Sequence, residues 1–312
     1  MERSQLTQRR KVPFGKLLKS EKFILSAELT PPRHYDLQDF MAKAEIVNEY
    51  VDIVQINDHL LSKARLTNLI AGQQCKLAGM EPVLQFALRH KNRIAIQGDL
   101  LGLAAMGLQN IIILGGYPCS IGSETDAVDV LDMGSMEAVE KVSRLTNKGE
   151  LFNGEIISPP PPFSIGVVEF PCSNAAHFTE RLDILEKKIE AGAEFVQMQA
   201  VFETDPMCNW MEKVRERKLH QKARFFAGVF PFCRLERLNA LMEIPGLDIP
   251  HHIVRRIQQN DTELESLNIT LELIDELSNI DGISGLHIRS IGAEEWVPKI
   301  IEASRFGGGL MY

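Results

Sequence analysis

Eight short apolar runs, each followed by a longer stretch with helical spacing, constrain this fold more than any other feature of the chain. The runs, rich in Val, Ile and Phe, are residues 23–29, 51–56, 83–88, 110–114, 164–170, 195–202, 224–230 and 285–291. The helical candidates between and after them are 36–48, 64–78, 93–106, 136–146, 176–191, 206–218, 233–243 and 294–303, with a further helical region at 249–278. Near-continuous apolar strands alternating with helices read as a parallel sheet buried on both faces. Eight such units in 312 residues predict an α/β fold: a closed (β/α)8 TIM barrel in a single domain, with extra helices between strands seven and eight. No Gly-x-Gly-x-x-Gly follows the first strand, which argues against an open dinucleotide-binding sheet. The expected division is an N-terminal extension (1–20), the barrel (21–305) and a C-terminal tail (306–312).

Punctuation along the chain agrees with that reading. Gly79, Gly107 and Gly192 each end a helical stretch just before a strand, where glycine tolerates the left-handed helix cap. Two segments break the rhythm: a polar loop at 117–134 after strand four, and 147–163, which carries Pro159-Pro160-Pro161-Pro162. Long loops at the C-terminal ends of barrel strands carry function, whereas a proline run also serves as a plain rigid spacer.

Composition narrows the function classes. A hydrophobic content of 45% supports a large core and excludes a disordered chain. With 34 basic against 42 acidic residues, and a net charge of −8, nucleic acid is not the expected partner. No apolar run reaches the ~18 residues of a membrane span, and the first residues lack an apolar signal core, so the expected compartment is the cytoplasm. Cys75, Cys119, Cys172, Cys208 and Cys233 form no Cys-x-x-Cys pair, and the histidines show no ligand spacing, so no metal site is expected.

The polar residues at strand ends are the candidates for chemistry. Glu28 is a lone carboxylate in an apolar strand; burial would raise its pKa toward the range of a general acid, or else it pairs with a structural Arg or Lys. Strand two runs into Asn57-Asp58-His59. Strand three leads from Gln85 to Arg89-His90-Lys91-Asn92-Arg93, donors suited to phosphate or carboxylate, or a solvated helix start. Strand four ends in Gly115-Gly116-Tyr117, where missing side chains admit a ligand to the backbone. Gln197 and Gln199 alternate on strand six and so face the same side.

At these residues the chain resembles the methylenetetrahydrofolate reductase family, especially the short forms of acetogenic and other one-carbon-metabolising bacteria. The resemblance rests on Ala27-Glu28-Leu29-Thr30-Pro31-Pro32-Arg33, on Glu81-Pro82-Val83-Leu84-Gln85, and most specifically on residues 89–102 and 106–110. Lys188-Ile189-Glu190-Ala191-Gly192-Ala193 and the strand bearing Gln199 extend it to the second half. It implies the barrel reached above and an oxidoreductase that interconverts 5,10-methylenetetrahydrofolate and 5-methyltetrahydrofolate. FAD would pass the hydride, with NADH or NADPH as donor, and a homo-oligomer or a cysteine-rich subunit would be the protein partner. Glu28 matches the catalytic acid and Gln199 the pterin contact, with Tyr117 and Asn57 also at the substrate. Asn57, Asp58, Gln85, Arg89, Gly115, Gly116, Asn174 and Lys188 fall at the flavin. Where the family has Gly-Asp after strand four, this chain has Gly116-Tyr117, so one carboxylate is missing; Asn57 stands for a threonine, and Arg89-His90 for Arg-Asp. The alternatives are a flavin-free form that takes hydride directly from the nicotinamide, a tetrahydrofolate-dependent methyltransferase and a non-catalytic folate-binding subunit.

Overall fold

A computed structural model describes residues 12–171, 175–243, 247 and 249–307. Eight parallel strands close into a barrel in chain order: β1 (Ile24–Leu29), β2 (Ile53–Ile56), β3 (Pro82–Ala87), β4 (Asn110–Leu114), β5 (Ser164–Glu169), β6 (Phe195–Ala200), β7 (Arg224–Val229) and β8 (Ile283–Ile288). β1 pairs with β8 as well as β2, so no sheet edge remains. Each strand falls on its expected run, and β4 has the predicted bounds. The last strand stops at Ile288 rather than 291 because the chain turns at Ser290, whose carbonyl accepts from Ala293 N at 2.6 Å.

The helices are α1 (Phe14–Leu18), α2 (Gln38–Tyr50), α3 (Asn68–Leu77), α4 (Arg93–Ala105), α5 (Ser135–Lys148), α6 (Ala175–Glu190), α7 (Asp205–Glu216), α8 (Leu235–Met242), α9 (His251–Gln259), α10 (Glu263–Ser278) and α11 (Trp296–Ala303). Among the described residues no helix is long and apolar enough to cross a membrane. Outward strand residues such as Val54, Leu84, Ile111 and Val196 pack against the helix ring in one large core. The helix expected at 233–243 is α8, and the expected extra helices between β7 and β8 are α9 and α10; α8 and α9 bury Leu238, Leu241, Ile253 and Ile257 against Phe202, Phe230 and Phe232 at the top of β6 and β7.

Strand alternation sorts the barrel interior into two halves. Its lower half is apolar: Ile24, Ile53, Val83, Ile112, Phe195 and Phe226 form a layer sealed by Phe14, Leu17 and Leu18 of α1. Phe14 meets the Phe195 ring edge-on at 4.9 Å between centroids, and its amide donates to Glu81 Oε1 at 3.0 Å. Two large rings fit in so narrow a layer because glycines face them. A Cβ on Gly166 would lie 2.3 Å from the Phe195 ring. Gly166→Ala should therefore cost about 1–3 kcal/mol, the usual penalty of overpacking, read as a lower urea midpoint; an unchanged midpoint would mean that this layer yields.

Candidate active site

Above that layer the lumen turns polar. Ser26 and Glu28 of β1, Gln55 of β2, Gln85 of β3, Gln197 and Gln199 of β6 and His287 of β8 occupy alternate, inward positions. Glu28 is fully buried. Its Oε1 accepts from Gln85 Nε2 at 3.2 Å and its Oε2 from Arg289 Nε at 3.0 Å, with His287 Nε2 3.7 Å away. Burial alone would raise this carboxyl, but Arg289 and His287 outweigh it and hold the pKa at about 2. The expected rise is thus reversed: Glu28 is the paired glutamate, ionised, because a guanidinium shares its cavity.

Arg289, just past β8, is the hub. Besides Glu28 it donates to Gln199 Oε1, and its guanidinium lies 4.7 Å from the Phe230 ring centroid. Burial raises the Tyr117 phenol, and the same two charges, Arg289 and Glu28, act on it in opposite senses. The strands fix this arrangement from below: Ser290 Oγ donates to the Glu28 carbonyl at 2.7 Å, and Ser26 Oγ pairs with His287 Nδ1 at 2.9 Å. Burial outweighs the pull of Glu28 and keeps His287 below its usual pKa.

Several polar atoms here are buried without a hydrogen-bond partner among the described residues: both amide atoms of Gln55, Gln197 Oε1, Asn57 Oδ1 and His287 Nε2. Buried polar groups are nearly always satisfied, and orphans call for an explanation. A flat heterocycle carrying donors and acceptors on its edge would supply their partners.

Residues 14–305 match the methylenetetrahydrofolate reductase family. The chain belongs to that family. Among curated relatives it is 21% identical over 303 residues to a probable methylenetetrahydrofolate reductase (NADPH) of Caenorhabditis elegans, covering 92% of this chain and 43% of that protein. It is 24% identical over 277 residues to methylenetetrahydrofolate reductase 2 of Saccharomyces cerevisiae, with 86% and 43% covered. The chain therefore spans less than half the length of these relatives. Among solved structures, a Clostridium thermocellum protein that binds two copies of 5-methyl-5,6,7,8-tetrahydrofolic acid superposes with a TM-score of 0.63 at 14% identity, covering 93% of this chain and 99% of that one. At that identity the likeness speaks for the fold alone.

Placed on the structure, the residues that the family resemblance assigns to a flavin divide. Asp58 Oδ2 is already taken, accepting from Ala87 N at 3.0 Å and Lys91 Nζ at 3.1 Å. Arg89 is also engaged, with Asp129 at 2.9 Å and the Gly116 carbonyl at 3.1 Å. Gln85 is held on Glu28. Asn57 Nδ2 donates to Thr30 Oγ1 at 2.7 Å while its Oδ1 is left over. Gly115 is exposed, with nothing within 4 Å of where a Cβ would stand, whereas Gly116 takes a φ of +87° against Ala87 and Arg89. Lys188 is buried on α6 near Glu169 and Arg181, and burial lowers its pKa. Asn174 lies outside the described residues. The orphaned Gln55 amide, Asn57 Oδ1 and the open face at Gly115 offer the donors, acceptors and clearance that the ring of a flavin requires.

Arg289, His287 and Gln55 were not singled out for the site from sequence. Their signal is the alternation Gln55-x-Asn57 and His287-x-Arg289, the same pattern that marks Gln197-x-Gln199. Sequence spacing likewise gives no metal set, yet folding brings His90, Cys119 and Asp129 together from two loops.

Proposed function

We propose that this chain transfers hydride between 5,10-methylenetetrahydrofolate and 5-methyltetrahydrofolate. The observation that carries the reading is Glu28, buried at the polar end of the lumen and joined through Arg289 to Gln199, in a chain of the reductase family. The tetrahydrofolate ligand of the Clostridium thermocellum protein supports a folate in the same barrel.

In the reductive direction Glu28 delivers a proton to N10 of the folate. The bond from N10 to the bridging carbon breaks, leaving an iminium on N5, and hydride added to that carbon completes the methyl group. In the oxidative direction hydride leaves the methyl group, N10 closes on the resulting carbon, and Glu28 takes the N10 proton. An ionised Glu28 is already the base that the oxidative direction needs. For reduction Glu28 must first gain a proton, which the Arg289 contact opposes. In this reading Gln199, whose Oε1 now accepts from Arg289, hydrogen-bonds the pterin edge. FAD bound beside Gln55, Asn57 and Gly115, with its phosphates at Lys188, would carry the hydride, with NADH or NADPH as the outer donor.

The test is turnover by the whole chain supplied with FAD, in both directions: methyltetrahydrofolate with an electron acceptor, and methylenetetrahydrofolate with NADH or NADPH. Conversion in either direction is the expected result. Saturable binding of methyltetrahydrofolate with no conversion would replace this reading with a folate-binding role, and methyl transfer to a corrinoid without redox change would replace it with a methyltransferase.

A further inference from the structure

Three loops meet at the rim of the barrel, beside but outside the Glu28 cluster. His90 follows β3, Cys119 and Asp129 belong to the loop after β4, and Ser62 follows β2. One ligand-type atom from each of His90, Cys119 and Asp129 lies within 4.8 Å of the others. Cys119 is 8% exposed, while His90 and Asp129 are half-buried, so the cluster is formed yet reachable from solvent.

Hydrogen bonding fixes which face of the histidine looks inward. Ser62 Oγ donates its one proton to the Tyr117 carbonyl at 2.6 Å. Toward His90 Nε2, at 3.3 Å, it therefore accepts, which places the imidazole proton on Nε2. The Nδ1 lone pair is left pointing at Cys119 Sγ, 3.4 Å away. A tetrahedral ion with a sulfur at about 2.3 Å and a nitrogen at about 2.05 Å holds the two about 3.6 Å apart. A ligating histidine whose second nitrogen donates to a fixed oxygen is the usual outer support of such a site.

Asp129 is held just as firmly. Its Oδ1 accepts from Cys119 N and its Oδ2 from Arg89, both at 2.9 Å, and a carboxylate oxygen accommodates a further partner. The loops are also in close contact: a Cβ on Gly122 would lie 2.1 Å from the Ser62 carbonyl oxygen. A carboxylate beside the thiol disfavours a bare thiolate nucleophile but favours a thiolate neutralised by a dication.

We propose that His90 Nδ1, Cys119 Sγ and Asp129 form a site for a thiophilic divalent cation of the Zn2+ type, with water in the fourth position. Binding releases the thiol proton to solvent. The ion clasps the loop after β4 to the loop after β3, two residues from Tyr117.

The test uses the full chain, loaded with Zn2+, dialysed against a weak chelator and analysed for metal, with Co2+ as a spectroscopic substitute. Expected are roughly one retained zinc per chain and a near-ultraviolet thiolate-to-cobalt band, both lost in Cys119→Ser. Ser62→Ala, which keeps all three ligands, should weaken binding roughly 10–100-fold. No retained zinc in the unaltered chain would overturn the proposal. So would zinc retained equally by Cys119→Ser, since it would then be bound elsewhere, for example at the exposed Cys208.

Discussion

Glu28→Gln should lower folate turnover by about 100- to 10,000-fold, the range lost when a positioned acid–base group is removed. Glutamine keeps the shape and still accepts from Gln85 or Arg289, so the lumen stays filled. What it loses is the proton that must reach N10 in one direction and leave it in the other. Steady-state rates in both directions, with circular dichroism to confirm the fold, make the measurement. Turnover within threefold of the unaltered chain would remove Glu28 from the chemistry and the proposed mechanism with it. A drop in kcat with little change in folate binding would place the defect in the chemical step.

Arg289→Gln should destabilise the protein by about 3–5 kcal/mol at neutral pH, because it leaves a fully buried carboxylate without its cation. For a chain of this length that is a fall in melting temperature of roughly 5–8 °C. The loss should depend on pH in a defined sense. In the unaltered protein Glu28 is held at about 2, below its ordinary 4.5, so its pairing stabilises the fold above that ordinary value and the contribution fades as pH falls toward about 2. Without Arg289, burial dominates and Glu28 rises, so the variant loses stability as pH climbs through the carboxylate range. The gap between the two proteins should be widest near pH 7, smaller near about pH 4, where the variant's buried carboxyl is protonated, and closed only as the pH nears about 2. Equal gaps at the first two would mean that Arg289 acts through packing on Phe230 and not through charge.

The barrel was legible because its signals are local. Runs such as 110–114 are short, branched and apolar, and the helices between them carry the complementary periodicity. Glu28 and Gln199 were legible as polar intrusions into such runs. Their relation was not: the ion pair to Glu28 comes from a residue 261 positions away, and the sign of the Glu28 shift depends on that partner. Burial read alone gives the opposite sign. Asp58 and Arg89 show the converse limit. Each is a charged residue at a strand end, suited to a ligand by type, yet each is already engaged by Lys91 or Asp129. His90, Cys119 and Asp129 were invisible as a set because their meeting depends on loop paths that no spacing rule encodes.

The seam between β1 and β8 ties chemical competence to completion of the chain's folding. Glu28 pairs with Arg289, Ser26 with His287, and the Glu28 carbonyl with Ser290, so three of the contacts that build the site cross that one junction. Contacts of such long range form late, since the intervening polypeptide must first be ordered. A nascent chain with its eighth strand still undocked would present two open sheet edges and a carboxylate without its counter-charge. In this architecture the Glu28 cluster is complete only once the ring has closed, so closure of the fold and assembly of the candidate site are one event.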